Sequence, residues 1–145
     1  ERDIQTSEFY ADWAVEIPIP TGVRKRDYTN ARCVLKITPR KLQENWIRLD
    51  FVPEIHYGEE RWRPMIIGGT WQGRTSQEIE PLYPLHFTVD LNLGEMVVIS
   101  GTPSESETIG QHFFCVRDGE NWRSHRLLVV RFSDMNRARS VYSTE

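Results

Sequence analysis

A chain of 145 residues with 39% hydrophobic side chains is one domain, large enough to bury a core without metal or disulfide staples. Its net charge of −3 excludes a nucleic-acid protein, because gripping phosphate backbones needs a concentrated positive field. No apolar run approaches the ~18 residues of a membrane-spanning helix, a test that a β-barrel strand escapes because its apolar signal alternates.

In chain order, Phe9, Ala11, Trp13, Val15 and Ile17 alternate with other residues and predict a strand. It closes at the Ile-Pro-Ile-Pro-Thr-Gly turn of Ile17 to Gly22. Arg24, Lys25 and Arg26 follow as the one basic cluster, read as a solvated loop. Cys33 to Pro39 is a short strand that proline ends. A polar connection, Lys41 to Asn45, leads into Ile47 to Tyr57, so the two strands read as a hairpin. In the second of them Ile47, Leu49, Phe51, Ile55 and Tyr57 are apolar, while Arg48, Asp50, Glu54 and His56 are polar. That period of two predicts one face on a core and one toward water. Pro53 cannot donate to a ladder, so a bulge or a sheet edge is expected there.

Arg61 to Gly69 reads as a further strand, and Thr70 to Pro84 as a polar stretch with at most one helical turn near Ser76 to Ile79. Leu85, Phe87, Val89 and Leu91 alternate again and predict a strand. Between Gly94 and Gly101, the succession Val97, Val98, Ile99 predicts a central strand covered on both faces. A polar loop then runs from Gly101 to Thr108. His112 to Arg117 reads as a strand, Asp118-Gly119 as a turn and Leu127 to Phe132 as the last strand. Leu49, Phe51, Phe87, Val89 and Leu128 are the expected core. The fold class is all-β, mainly antiparallel sheet or sandwich, with little helix.

Motifs for chemistry are scarce. There is no G-x-S-x-G elbow, no S-x-x-K and no phosphate-binding glycine loop with a following helix. Cys33 and Cys115 lie in apolar contexts and read as small buried hydrophobes, with pairing left open. Asp50, Glu54 and His56 share a strand face, where a carboxylate two residues from a histidine can share a proton or hold a metal. Polar strand faces carry such residues simply because they meet water, and Arg48 offers Asp50 an ordinary partner. His86, His112 and His125 have no ligand spacing. No catalytic, cofactor or metal site is therefore assigned. Trp46, Trp62 and Trp71, if exposed, could stack on sugars or peptides or line a subunit interface.

Four words in order resemble the C-terminal half of the secretin domain, the ring-forming β-domain of outer-membrane secretion channels. They are L-K-I-T-P at Leu35 to Pro39, I-R-L-D-F-V-P-E-I-H at Ile47 to His56, and F-T-V-D-L-N-L-G-E-M-V-V-I-S-G at Phe87 to Gly101. The last pairs I-G-Q-H-F-F at Ile109 to Phe114 with R-L-L-V-V-R-F at Arg126 to Phe132. Ser100 stands where the family has the first glycine of a Gly-Gly pair, Glu95 replaces a glutamine, and Arg131-Phe132 replaces a closing Thr-Pro. Residues 1 to 27 have no counterpart of the family's first strands and inner gate. The resemblance is thus to a shortened secretin-like domain of the planctomycete type.

The resemblance implies three parts: an N-terminal strand and basic loop (1–27), a secretin-like β-domain (28–135) and a polar tail (136–145). It implies a non-enzymatic structural subunit of a bacterial envelope, in outer membrane or periplasm, without cofactor, forming a homo-oligomeric ring or pore-like assembly. Further envelope or secretion proteins and the membrane are its possible partners; nucleic acid is not. Trp46, Arg48, Asp50 and Glu54 are the candidate interface residues, because a ring needs matched charges between identical neighbours. The alternative is a monomeric β-sandwich binding carbohydrate or peptide through exposed aromatics. A chain that starts at Glu1 without methionine also reads as a processed form or a fragment.

Overall fold

The strands β1 (Arg2–Gln5), β2 (Tyr10–Ile19), β3 (Gly22–Gln43), β4 (Trp46–Ile67), β5 (Thr70–Pro81) and β6 (Phe87–Asn92) form the main antiparallel sheet. They are seen in a computed structural model that describes residues 1–102, 107–118 and 121–134. The sheet is built on the hairpin of β3 and β4, each 22 residues long, joined through Glu44 and Asn45. β1 and β2 pair successive parts of β3, and β6 and β5 pair successive parts of β4. An all-β, antiparallel fold is therefore observed.

Pro53 lies at neither a bulge nor an edge. It sits inside β4 opposite Leu35, at the point where the β6 ladder has ended at Phe51 and the β5 ladder begins at Glu54. Its carbonyl accepts from the Leu82 amide at 2.8 Å. A strand residue points its N and its O to the same side, so the missing N–H faces this gap, where no ladder bond is lost.

Two bends split the far half of the hairpin into arms. Asn30 (φ 48) and Gly58 (φ 78) are left-handed, and β3–β4 pairing stops at Arg32↔His56 beside them. From there the β2–β3 and β4–β5 hairpins continue as separate arms. Gln77, buried on β5, locks the fork: its Nε2 donates to the Asn30 carbonyl at 2.8 Å and to the Gly58 carbonyl at 2.9 Å. The Asn30 bend also shifts the phase of β3, so that Tyr28 joins Ala31, Cys33, Leu35 and Ile37 among the buried residues.

The core lies on one face of the central hairpin, where Cys33, Leu35, Leu49, Phe51 and Ile55 are buried. Phe113 and Phe114 of the short helix α1 (Ile109–Phe114) cover it, as does Phe132. A two-stranded sheet of β7 (Met96–Ile99) and β10 (Leu128–Arg131) adds Val97, Ile99, Leu128 and Val130. Between them, β8 (Cys115–Asp118) and β9 (Asn121–His125) form a small ladder. Cys33 and Cys115 are both buried and unpaired.

Several expectations are corrected. Residues 109–114 are helical, and the signal was the capping box in which Thr108 Oγ1 accepts from the Gln111 amide and the Gln111 side chain answers the Thr108 amide. Arg61 to Ile67 extends β4 rather than forming a strand of its own, and Thr70 to Pro81 is strand β5. The Thr70 to Thr75 part of β5 is exposed throughout, so alternation has nothing to report there. The basic cluster is in β3, not in a loop. Met96 to Ile99 is not central: among the described residues it pairs only with β10, and Val98 is 53% exposed opposite the equally exposed Val129. Leu49 and Phe51 are core as expected, whereas Phe87, Val89 and Leu128 are half-buried, because they pack on the core from its outer strands. The expected boundary between residues 27 and 28 falls within β3. Gly119, residues 103–106 and the 136–145 tail lie outside the described residues.

Candidate functional site

The near half of the second sheet face is a charged ladder. Arg48 donates from Nε and Nη2 to the two carboxylate oxygens of Asp90, at 2.7 and 2.8 Å, across directly opposed positions of β4 and β6. Arg40 of β3 donates to Asp50 at 3.3 Å. Asp50 thus takes Arg40 as its partner, and Arg48 takes Asp90. Trp46, Arg48 and Asp50 are half-buried at the start of β4 and still reach the surface.

Glu54 does not. It is 3% exposed, and His56 is 7% exposed, so the expectation that this part of the face meets water is corrected. The reason is the arm: beyond the Gly58 bend, Glu60, Met65 and Arg74 help wall a cavity of about 330 Å³ over this face, with Arg32, His56 and Gln77 among its lining. Beside its His56 wall, His56 Nε2 and Glu54 Oε2 are 2.9 Å apart, and Lys36 Nζ stands 3.7 Å from the other Glu54 oxygen. Burying a carboxylate is tolerable only with such company. The pair is separated from Asp50, which stays in the charged ladder. His56 Nε2 thus faces a carboxylate.

The remaining histidines are dispersed. His86 Nδ1 is 3.1 Å from the Tyr83 carbonyl, His112 Nε2 is 2.9 Å from Glu107, and His125 Nδ1 is 3.3 Å from Cys115 Sγ. Burial pushes the Cys115 thiol up, away from thiolate. No group of three His, Cys, Asp or Glu side chains among the described residues could hold a metal.

Glu80 is a centre that the sequence did not reveal. Standing on β5 opposite Ile55, it accepts from Tyr28 at 2.8 Å, from Arg26 at 3.1 Å and from Arg24, and so ties the β2–β3 arm to the sheet. Burial pushes its carboxyl up, but the Tyr28 and Arg26 hydrogen bonds and the charges of Arg26 and Arg24 outweigh it and hold the group below its ordinary value. A folded pKa below the unfolded one contributes stability above the ordinary carboxylate range, lost as pH falls through the folded value. Glu80→Gln is therefore expected to lower the melting temperature at neutral pH. The difference from the parent should shrink on acidification; a difference independent of pH would show that the charge of Glu80 is not what matters.

The two arms differ at their surfaces. On β4–β5, Trp62 and Trp71 are 68% and 70% exposed and Ile66 is 62% exposed. Trp62, opposite Thr75, lays its ring over the diagonal neighbour Gly73, where a Cβ would fall 2.1 Å from the indole nitrogen. Sequence reasoning singled out both tryptophans but not the isoleucines at the tip, whose register emerges only from the β4–β5 pairing.

These features define an all-β protein of long, branching hairpins. No protein-family model, curated protein or solved structure matches the chain.

Proposed function

We propose that the protein is a non-enzymatic structural subunit of a bacterial envelope that joins copies of itself into a closed ring. The observation that carries this reading is the pair of open edges at opposite flanks of the sheet. Among the described residues β1 and β2 pair only with β3, and β5 and β6 only with β4, so each flank leaves a ladder unused, its longest stretches the 10 residues of β2 and the 12 of β5. Unused ladders are liabilities that a head-to-tail contact between identical subunits removes, and such contacts close into rings. The exposed ladder of Arg40, Arg48, Asp50 and Asp90, with Trp46 beside it, supplies charge for register between neighbours. Glu54 is withdrawn from that set by its burial. The envelope setting rests on the secretin-like words of the sequence.

Native mass spectrometry and negative-stain imaging of the chain are expected to show closed rings. Asp50→Lys should weaken them while leaving the far-ultraviolet β signal intact. A strictly monomeric species at high concentration overturns the proposal. The exposed Trp62 and Trp71 then favour the second reading, a monomeric module that stacks on carbohydrate or peptide.

A further inference from the structure

The tip of the β4–β5 arm carries side chains that the fold does not use. The register pairs Ile67 with Thr70 and Ile66 with Trp71, so these residues form the last two rungs before Gly68 and Gly69. Both glycines are left-handed (φ 60 and 79), as a two-residue hairpin turn requires, and the strands run tightly to the end. Ile66, Ile67 and Trp71 are 62%, 50% and 70% exposed there. An apolar group of this size at the extremity of an arm serves contact with something outside the chain.

The charge on the arm indicates what that is. From Arg61 to Thr75 there are three arginines and no aspartate or glutamate, in a chain of net charge −3. Arg63 and Arg74 stand directly opposite each other, where like charges weaken a ladder. Arg63 is engaged by Glu78; Arg61 and Arg74 form no ion pair among the described residues. At a rise of ~3.3 Å per residue, the Arg63–Arg74 rung stands roughly 15 Å behind the tip. The order along the arm is thus apolar tip with one tryptophan, then uncompensated arginine. A second copy of the arm would cover the isoleucines but would set these arginines against their own kind.

We propose that this tip docks on an anionic phospholipid surface, with Ile66, Ile67 and Trp71 entering the headgroup region and Arg61 and Arg74 meeting lipid phosphates. Amphipathic elements bury apolar side chains about 5–10 Å into the headgroup and acyl boundary, a depth that the last two rungs span. Tryptophan favours that interface, and arginine pairs with phosphate through its planar fork. The proposal is independent of ring formation, since vesicle binding can be read on monomer and ring alike.

Co-sedimentation of the full chain with vesicles tests it. Binding is expected to vesicles of phosphatidylcholine and phosphatidylglycerol in equal parts, to weaken with salt, and to be far weaker to phosphatidylcholine alone. Arg61→Gln and Arg74→Gln should each weaken binding about fivefold. Trp71→Phe should keep binding but lose most of the blue shift in tryptophan emission. The double variant Ile66→Ser, Ile67→Ser should abolish binding with an unchanged far-ultraviolet spectrum. If that double variant does not fold, the two arginine variants and Trp71→Phe carry the test. Equal binding to both vesicle types, or none to either, overturns the proposal. So does lipid-free self-association that the isoleucine variant abolishes, which would assign the tip to a second copy.

Discussion

Phe51→Ala is expected to lower the unfolding free energy by about 3–5 kcal/mol, the range for truncating a buried phenylalanine. Phe51 is fully buried at the middle of β4, and its ring stacks on Phe87 at 4.7 Å with the planes 10° apart. It belongs to the same apolar cluster as Leu35, Phe113 and Phe114, so one truncation loosens both the β4–β6 pairing and the cover over the sheet. The site sits between fixed strands and cannot collapse around a smaller side chain without moving the hairpin. Denaturant unfolding of the two proteins measures the loss. A change below about 1 kcal/mol would mean that this face of β4 is not the core.

The second large effect is expected from His56→Ala, at about 1–3 kcal/mol, because the buried Glu54 carboxyl loses its 2.9 Å hydrogen-bond partner. Glu54 would keep only Lys36, 3.7 Å away, in a position 3% exposed. Replacing both members, as Glu54→Leu with His56→Leu, should cost much less than His56→Ala alone, since no unpaired carboxylate then remains. Equilibrium unfolding of the three chains decides the matter. A His56→Ala cost within about half a kcal/mol would place the pair in contact with water after all, as a surface site tolerates such a change.

Together these residues explain why a strand with one regular alternation has two differently buried faces. The odd positions of β4 are covered by α1 and the β7–β10 sheet, and that burial is written in their apolarity. The even positions change environment halfway along. Arg48 and Asp50 lie in a charged ladder that reaches the surface, whereas Glu54 and His56 are buried, His56 against the cavity walled by the returning arm. All four are polar, so composition alone cannot tell a solvated face from one covered by a polar cavity.

By itself, the sequence determined the all-β class, the β3–β4 hairpin and the inward phase of Leu49, Phe51 and Ile55. These follow from local alternation, which any chain segment carries on its own. It also held the start of α1, in the Thr108 and Gln111 capping box, and the β-residue run of β7 without revealing that Val98 is exposed. Only the tertiary structure decided the fork at Asn30 and Gly58, locked by Gln77, and the convergence of Arg24, Arg26 and Tyr28 on Glu80. It alone decided the burial of Glu54 with His56 and the apolar tip of the β4–β5 arm. A residue's polarity selects its neighbours only once strands are in register, and the bonds at the fork and at Glu80 join residues 19 to 56 positions apart, beyond the reach of any local period.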